Sequence, residues 1–341
     1  MSPTGTVAEP ATVSVPTLAQ VAELAGVSPA TASRVINGSA RVSHHARAQV
    51  EDAIRRLGYV RHRPSSRPAG RSTGSIAAVV CEDSTRVFAD PFFARVLHGA
   101  RRALGKTSQL VILMAGGGQQ AVAGYLRGGH AAGVLLVSTR GDHPLLHAAA
   151  GVPVVLAGRP QSDSWIPHVD IDDRGGARAA VEHLLNSGRR AIGTIAGPPD
   201  TVLGADRLAG YRDAVADAGM LSSGLVAYGD LRQASGEHAM NRLLDRWPTI
   251  DAVLVASDLM AAGAMRALHR ARRRVPDDVA VIGFGDSAIA QHLRPRLTTV
   301  HQPLEEMGAR ATHELLSRIA GKPVSGQSIV LSTKLIVRES A

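Results

Sequence analysis

Two consecutive sets of alternating apolar strands and helices restrict the fold of this chain more than any other feature of its sequence. Strands that are apolar along their whole length are typical of parallel sheets covered by helices on both faces. The first set predicts strands at Ile76–Cys81, Leu110–Ala115, Gly133–Val137 and Val152–Leu156, with helices at Pro91–Leu104, Ala121–Leu126 and Leu145–Ala149.

The same alternation restarts after Asp172. It predicts strands at Ala191–Ala196, Val226–Gly229, Ala252–Val255 and Val279–Phe284, and helices at Ala177–Leu185, Leu208–Ala218, Glu237–Leu244, Met260–Arg272 and Leu304–Ile319. Two α/β sets of similar size predict two doubly wound lobes that face each other. Because ligands bind such sheets at the carboxyl ends of the strands, we expect a ligand site in the cleft between the lobes.

Residues 17–60, ahead of both sets, are predicted to form a small all-α unit of three helices. Thr17 is placed to cap the first helix, and Gly26 stands where that helix must turn. Ser28 and Ser43 are placed to cap the second and third helices. The predicted core of this unit comprises Leu18, Val21, Ala22, Ala25, Ala32, Val35, Ile36, Ala46, Val50, Ala53, Ile54 and Leu57.

The second of these helices leaves Thr31, Ser33, Arg34 and Asn37 on its polar side. Small polar groups beside a guanidinium suit the phosphates and guanine edges of a DNA major groove. The alternative is that the two helices only pack together and bind nothing, since short helix pairs are common.

The N-terminal part of the chain is basic. Residues 1–75 carry nine Arg against four acidic residues, a net charge of +5 out of the chain's +9. A basic segment joined to such a helix pair favours nucleic acid as the partner.

A family resemblance follows from these residues. The string TLAQVAELAGVSPATASRVINGSARVS, followed by AIRRLGYV, resembles the N-terminal headpiece of LacI/GalR-family transcriptional regulators. Motifs further along the chain are similar to those of the same family. They are Asp90–Phe93, Asp170–Asp173, Gly197–Pro199, Asp206–Tyr211, Ser257–Met260, Val281–Asp286, Arg296–Pro303 and Val337–Ser340.

The resemblance implies a domain organisation. Residues 1–16 form a disordered leader, 17–60 the helix-turn-helix headpiece and 61–74 a hinge or linker. Residues 75–341 form a two-lobed, periplasmic-binding-protein-like domain for effector binding and dimerisation. Its N-lobe comprises about 75–169 and its C-lobe about 170–300, and later segments of the chain cross back between the lobes.

Relatives carry a hinge helix in the linker. Because Pro64 and Pro68 fall there, and proline in a helix interior costs about 3 kcal/mol, we expect no regular hinge helix.

Double-stranded operator DNA is the partner that the resemblance implies, bound by a homodimer that reads a pseudo-palindromic site. Arg34 is expected to contact a base edge. Pro29 and Ala30 carry no side-chain donor or acceptor, so they can read DNA only through apolar contact or shape. The full set of expected DNA-binding residues is Thr17, Ser28, Pro29, Ala30, Thr31, Ser33, Arg34, Asn37, Ser43, His44, Tyr59, Arg63 and Arg67.

The resemblance also implies a small-molecule effector, a carbohydrate, bound between the lobes. Arg207 is its foremost ligand, since a forked guanidinium can hold two vicinal hydroxyls at once. The alternative for Arg207 is a lobe–lobe salt bridge, and for Asp172 and Asp173 it is a helix N-cap, which we expect at least one of them to be. Gly158 and Gly285 depart from the family, whose members often carry aspartate there. The expected effector-binding residues are Phe92, Asp172, Arg207, Ser257 and Asp286.

Two rival classes of protein remain open. Gly116–Gly118 with Ala121 fits the spacing of a dinucleotide-binding loop, and Asp142 falls near the acidic position that such an NAD(P)-linked enzyme needs. The signal is weak, because a lone glycine string is usually a loop. A receptor-like sugar-binding protein would share the two lobes, but it would normally carry a secretion signal and no headpiece.

The sequence also indicates where in the cell the protein is located and whether it carries reactive groups. No stretch of 18 apolar residues is present, and the N-terminus does not read as a secretion signal. The single Cys81 sits in an apolar run and is expected to be a small core residue. We therefore expect a cytoplasmic transcriptional repressor with no enzymatic activity, no cofactor and no metal site.

Overall fold

The computed structural model describes residues 18–36, 42–57, 74–106, 108–138, 145, 152–161, 166–220, 225–322 and 328–341. Three helices come first: α1 (Leu18–Leu24), α2 (Pro29–Ile36) and α3 (His44–Leu57). The Ser28 hydroxyl accepts a hydrogen bond from the Thr31 amide at 3.1 Å, and the Ser43 hydroxyl accepts one from the Ala46 amide at 3.3 Å. Both predicted caps are therefore confirmed.

The core of the three helices agrees with the apolar pattern of the sequence. Gly26 has a φ of +64°, a left-handed conformation that glycine adopts without strain. This glycine allows the chain to turn sharply between α1 and α2. The buried side chains are Val21, Ala22, Ala25, Ala32, Val35, Val50 and Ala53, and Leu18 and Ile54 pack against them.

Twelve strands and nine helices follow in the described part of the chain. In chain order they are β1 (Ile76–Val80), α4 (Ser84–Ala89), α5 (Pro91–Leu104), β2 (Leu110–Met114), α6 (Gln119–Arg127), β3 (Gly133–Val137), β4 (Val154–Ala157), β5 (His168–Ile171), α7 (Asp173–Asn186), β6 (Ile192–Ala196), α8 (Val202–Asp217), β7 (Val226–Tyr228), α9 (Gln233–Arg246), β8 (Ala252–Val255), α10 (Asp258–Arg270), β9 (Ala280–Gly285), α11 (Ala288–His292), β10 (Thr298–His301), α12 (Leu304–Ile319), β11 (Ile329–Leu331) and β12 (Lys334–Ile336).

The strands form two six-stranded sheets. The first has the order β11-β5-β4-β3-β1-β2, and all of its strand pairs are parallel. The second has the order β12-β10-β9-β8-β6-β7, in which only the β10–β12 pair is antiparallel. The central strands β1, β3 and β8 are fully buried, as continuous apolar runs require. The predicted pair of parallel α/β lobes is therefore confirmed.

We call the first sheet with α4, α5 and α12 the first lobe, and the second sheet with α7 to α11 the second lobe. Within the described residues, the chain passes from one lobe to the other three times, at 171–173, 301–304 and 331–334. The Asp172 amide donates a hydrogen bond to the Leu331 carbonyl at 2.9 Å, and the Gln302 side-chain amide donates one to Asp173 at 2.8 Å. The three crossings are thus bonded to one another.

Several elements differ from the sequence prediction. Helices α4 and α11 and strands β5, β10, β11 and β12 were not expected, because all of them are short and all except β11 contain polar residues. Of the helix predicted at Leu145–Ala149, all but Leu145 lies outside the described residues.

Two residues singled out in the sequence have structural explanations. A Cβ on Gly116 would lie 2.2 Å from the Glu82 carbonyl oxygen, so close backbone packing accounts for glycine at this position. Cys81 is buried, and burial with the nearby Glu82 charge raises the pKa of its thiol to about 12. The thiol therefore stays protonated, in agreement with the prediction that Cys81 is a core residue.

Among the described helices, none is both long and apolar enough to span a bilayer.

Candidate functional site

The outer side of α2 presents a polar surface. Ser28, Pro29, Ala30 and Arg34 are exposed, while Thr31 and Ser33 are half-buried. The Ser28 and Thr31 hydroxyls lie 2.9 Å apart and can share a hydrogen bond. Ala32 and Val35 face the opposite way, into the core. The helix therefore separates a packing side from a side that is open to a partner.

Other expected DNA-binding positions divide into two groups. The Ser43 side chain is exposed and serves as the cap of α3. His44 begins α3, but its side chain lies outside the described residues. The remaining positions, which also lie outside the described residues, are Thr17, Asn37, Tyr59, Arg63 and Arg67.

A cavity opens between the two lobes. The space inside it, counted together with the open solvent at its mouth, is about 590 Å³. The first lobe contributes Arg86, Asp90 and Phe92 to its wall, and the second lobe contributes Arg207 and Ser257. The expected residues Phe92, Arg207 and Ser257 are therefore brought together around one space.

Arg207 lies buried on α8, in the wall of this cavity. Its Nη1 donates a hydrogen bond to the Ala256 carbonyl at 2.6 Å, and its Nη2 lies 3.1 Å from the Asp173 carboxylate. The guanidinium carbon lies 3.9 Å from the ring centroid of Phe284, a cation–π contact. The ion pair forms inside the second lobe, so Arg207 does not make the lobe–lobe salt bridge that was its alternative.

Asp173, rather than Asp172, carries the carboxylate beside Arg207. Burial raises the pKa of Asp173 to about 6, although the Arg207 charge opposes this shift. Asp172 is exposed, and its Oδ1 accepts a hydrogen bond of 2.8 Å from the Gly175 amide as the N-cap of α7. Successive residues at a helix start point in different directions, so one caps the helix and the next turns inward. Asp172 is thus the helix N-cap that was its alternative, and its contact with a ligand stays a prediction.

Asp286 is also outside the wall of the cavity. It accepts hydrogen bonds from Arg338 Nη2 at 2.6 Å and from His301 Nδ1 at 3.0 Å. Burial opposes ionisation of Asp286, but these two hydrogen bonds outweigh burial and lower its pKa. The carboxylate fixes the C-terminal segment to the second lobe, and its expected contact with a ligand stays a prediction.

Ser257 combines two roles at the edge of the cavity. Its hydroxyl oxygen accepts a hydrogen bond from the Met260 amide at 3.2 Å, which caps α10. The hydroxyl also lies 3.4 Å from the Leu231 carbonyl, a long contact that a better acceptor could replace. Ser257 thus lines the cavity with a donor that is only weakly engaged.

The sequence prediction missed the polar wall of the first lobe. Arg86 donates a hydrogen bond of 2.6 Å to Glu82, and both side chains are buried. Asp90 caps α5 by accepting from the Phe92 amide at 3.0 Å, and burial raises the pKa of Asp90. The spacing of Glu82 and Arg86, four residues apart, was the signal that could have revealed this pair.

Two arginines of the first lobe reach polar groups of the second. Arg159 Nε lies 3.1 Å from Asp170 in β5, and its Nη2 also bonds the Asp206 carboxylate on α8. Arg95 donates to the Gly285 carbonyl at 2.8 Å while its Nε binds Glu305, also at 2.8 Å. Polar contacts therefore join the two lobes, and the contact of Arg95 with Gly285 lies in the wall of the cavity.

Comparisons with known proteins agree with this arrangement. Residues 17–62 match the family described as "Bacterial regulatory proteins, lacI family", and residues 181–341 match "Periplasmic binding protein-like domain". The HTH-type transcriptional regulator CelR of Thermobifida fusca is 46% identical over 333 residues, which are 95% of this chain and 98% of CelR. The HTH-type transcriptional regulator GalR of Escherichia coli K12 is 33% identical over 333 residues, 95% of each protein.

Solved structures show the same likeness. A transcriptional regulator CelR–cellobiose complex has a TM-score of 0.77 and 46% identity, and the match covers 96% of this chain and 100% of that one. The lac repressor dimer bound to operator and the anti-inducer ONPF has a TM-score of 0.70 and 27% identity, covering 96% and 99%. The chain belongs to the lacI family of bacterial regulatory proteins and is a DNA-binding transcriptional regulator.

Proposed function

We propose that this regulator is a cytoplasmic repressor that binds operator DNA as a homodimer, and that a carbohydrate in the cavity between the lobes sets its operator affinity. The observation that carries the proposal is the cavity itself. It is walled by both lobes, and it contains Arg207, a buried side chain with hydrogen-bonding capacity. A ligand in this cavity contacts both lobes and can therefore change their relative position.

The DNA half of the proposal rests on α2. Its exposed residues would enter a major groove, and Arg34 would hydrogen-bond to a base edge, as helix-turn-helix geometry requires. Arg34 makes no hydrogen bond or ion pair with another described residue, so its guanidinium is available. The proposed contacts are Ser28, Pro29, Ala30, Thr31, Ser33, Arg34 and Ser43, with Thr17, Asn37, His44, Tyr59, Arg63 and Arg67 carried over from the sequence.

The effector half rests on the cavity wall. We take cellobiose as the first candidate, because the solved relative with 46% identity is a complex with that sugar. Arg207 would donate to sugar hydroxyls, Ser257 would exchange its long contact for a ligand oxygen, and Phe92 would pack against a sugar face. Asp173 holds Arg207 in position, and Asp172 and Asp286, the other two effector contacts expected from the sequence, are not among the residues that line the cavity.

Homodimer formation is supported by strand β2. Its five residues, Leu110–Met114, are all apolar, yet the strand lies at the edge of the first sheet. Ile112 is 50% exposed there. An apolar edge strand left in solvent is a site of aggregation, so native proteins cover it. We propose that a second copy of the chain covers β2.

Calorimetric titration of cellobiose into the purified full-length protein tests the effector half. We expect one site per chain, and we expect Asp173→Asn/Arg207→Met, which leaves no buried carboxylate without its partner, to abolish measurable binding while the protein stays folded. Recovery of unchanged cellobiose after long incubation would agree with a regulator that has no enzymatic activity. Absence of binding by cellobiose and by related glucosides would overturn the proposal.

A further inference from the structure

Three aspartates and two arginines meet where the chain first crosses between the lobes. Arg159 Nε lies 3.1 Å from Asp170, and both residues belong to the first lobe. The Nη2 of Arg159 also bonds Asp206, which lies on α8 of the second lobe. Arg207, on the same helix, lies 3.1 Å from Asp173. This group of five side chains, which we call the crossing cluster, has one carboxylate more than it has guanidiniums.

The carboxylates of the crossing cluster are largely shielded from water. The exposed fraction of the side chain is 10% for Asp173, 17% for Asp170 and 24% for Asp206. A carboxylate shielded from water is stable as an ion only when cations or hydrogen-bond donors balance its charge. Because two guanidiniums serve three carboxylates, the cluster keeps one negative charge in excess, and binding of one proton removes that excess.

Asp173 is the carboxylate of the cluster that binds a proton most readily, since it is the least exposed of the three. Burial raises its pKa to about 6, against the opposing charge of Arg207, and the negative charges of Asp170 and Asp206 add to the increase. Burial raises the pKa of Asp170 as well. Both pKa values move in the direction expected of like charges that share a site shielded from water.

Neighbouring charged side chains do not remove the excess. Arg174 lies within electrostatic reach of Asp206, but it is exposed and lies 2.7 Å from Asp213, with which it forms a separate pair. Solvent screens the charge of such an exposed pair. Asp90, in the cavity wall, adds a further negative charge within reach of Arg207.

The second crossing reaches the cluster through a neutral group. The side-chain amide of Gln302 donates to Asp173 at 2.8 Å, whereas the titratable side chain of His301 beside it bonds Asp286 instead. The Gln302 carbonyl accepts a hydrogen bond of 3.2 Å from Arg95 of the first lobe. The surroundings of Asp173 therefore depend on the placement of two crossings and of both lobes.

The cluster has this form while the lobes are together. Rotation of the lobes away from each other would separate Arg159 from Asp206 and admit water to the carboxylates. A hydrated carboxylate ionises more easily than a buried one, so the separated arrangement binds a proton less tightly. By linkage, the arrangement that binds the proton more tightly is stabilised as the pH falls and loses this stabilisation as the pH rises.

We infer that closing of the two lobes is linked to the uptake of one proton from solvent by Asp173, so that acidification favours the arrangement seen in this structure. The inference goes beyond the proposed effector role, since it requires neither a sugar nor DNA. Asp173 is then a positioning residue, whose protonation state sets how firmly the lobes are held together.

Energy transfer between dyes on the two lobes measures their arrangement directly. Full-length protein with Ala94→Cys on α5 and Ala234→Cys on α9 offers one exposed thiol on each lobe, while the native Cys81 is buried. Labelled chains are mixed with an excess of unlabelled chains, so that transfer reports on one chain. We expect the ratio of closed to separated molecules to rise about five- to tenfold from pH 7.5 to pH 5. Transfer that does not change with pH would overturn the inference.

Three variants in this labelled protein locate the proton. Asp173→Asn cannot take it up, so its energy transfer should be constant between pH 5 and 7.5. Asp170→Asn removes a neighbouring like charge and should move the midpoint of the response to lower pH. Asp217→Asn is the control on α8, because Asp217 pairs with Arg178 at the surface, 2.8 Å away, and it should keep the original response.

The outcomes are decisive even if one variant does not fold. A pH response that persists in folded Asp173→Asn would overturn Asp173 as the proton acceptor. If Asp173→Asn does not fold, the midpoint in Asp170→Asn decides, and a midpoint equal to that of the Asp217→Asn control would overturn the role of the cluster. None of these samples contains sugar, so a failure here leaves the proposed effector role intact, and a failure of cellobiose to bind leaves this inference intact.

Discussion

The side-chain amide of Gln302 donates a hydrogen bond of 2.8 Å to the carboxylate of Asp173. Gln302 belongs to the second crossing between the lobes, and Asp173 follows the first. The same carboxylate binds Arg207 in the cavity wall. Any ligand that draws on Arg207 therefore acts on a group that also holds two crossings together, which gives the effector a direct physical route to the arrangement of the lobes.

Asp173 should give stability a defined pH dependence. Its pKa is about 6 in the folded protein, compared with 3.8 for an ordinary Asp, because burial disfavours the charged form. The folded state then binds this proton more readily than the unfolded chain. The stabilisation is fully present below about pH 4 and is lost as the pH rises to about 6, amounting to roughly 3 kcal/mol.

Urea unfolding at pH 4 to 7 measures this dependence. The difference in unfolding free energy between the unmodified protein and Asp173→Asn should change across that window. A difference that is flat with pH for Asp173→Asn would contradict the raised pKa.

Arg34→Ala should weaken specific operator binding by roughly 1–3 kcal/mol and relax base preference at one position of each half-site. The reason is the loss of a bidentate contact to a base edge. Competition binding against a set of single-base operator variants measures both effects. Arg56→Ala, which removes an exposed arginine paired with Asp52, serves as the control. An equal loss of affinity for specific and for random DNA would indicate that Arg34 contacts only phosphates.

The Arg159–Asp206 pair should favour the apposed arrangement of the lobes. Asp206→Asn removes the charge that Arg159 meets across the lobes. The pair is partly exposed, so the expected cost is about 0.2–1 kcal/mol, a loss of cellobiose affinity of about 1.4- to fivefold that shrinks in high salt. Asp213→Asn on the same helix breaks an ion pair within the second lobe and should not change affinity. Matching effects of the two variants would argue against a lobe-to-lobe role.

Ile112→Lys should dissociate the proposed dimer. Lysine at the centre of β2 would place a charge in a buried apolar interface, and edge lysines oppose strand-to-strand contact. Sedimentation velocity should show a shift from dimer to monomer. Val330→Lys is the matched control, because Val330 is 60% exposed on β11, the opposite edge of the same sheet. A dimer that survives Ile112→Lys would place the interface elsewhere.

The parts of the fold that the sequence predicts well are those whose apolar pattern is long. Helix α12 runs from Leu304 to Ile319 as predicted, and β3 runs from Gly133 to Val137 as predicted. Strands β5 and β10 contain His168 and Thr298 and lie next to crossings. Their strand conformation depends on neighbours far away in the chain, which a local pattern does not contain.

Prediction of the site from the sequence is limited in the same way. Family motifs identified Arg207, Phe92 and Ser257, which do line the cavity. They did not distinguish Asp172 from Asp173, because the direction of each side chain depends on where α7 begins. Arg86 was missed because α4 is a six-residue helix without a recognisable periodic face. The four-residue spacing from Glu82 was a signal in the sequence, but the cavity that Arg86 lines becomes visible only in three dimensions.

Fluorescence anisotropy of the full-length protein on a palindromic operator, selected from random DNA, tests the central claim most directly. The titration is run at two salt concentrations, with and without saturating cellobiose. We predict specific binding that persists at the higher salt and an operator dissociation constant that cellobiose changes by about 5- to 150-fold. Binding that disappears with salt and is the same with and without cellobiose would contradict the account.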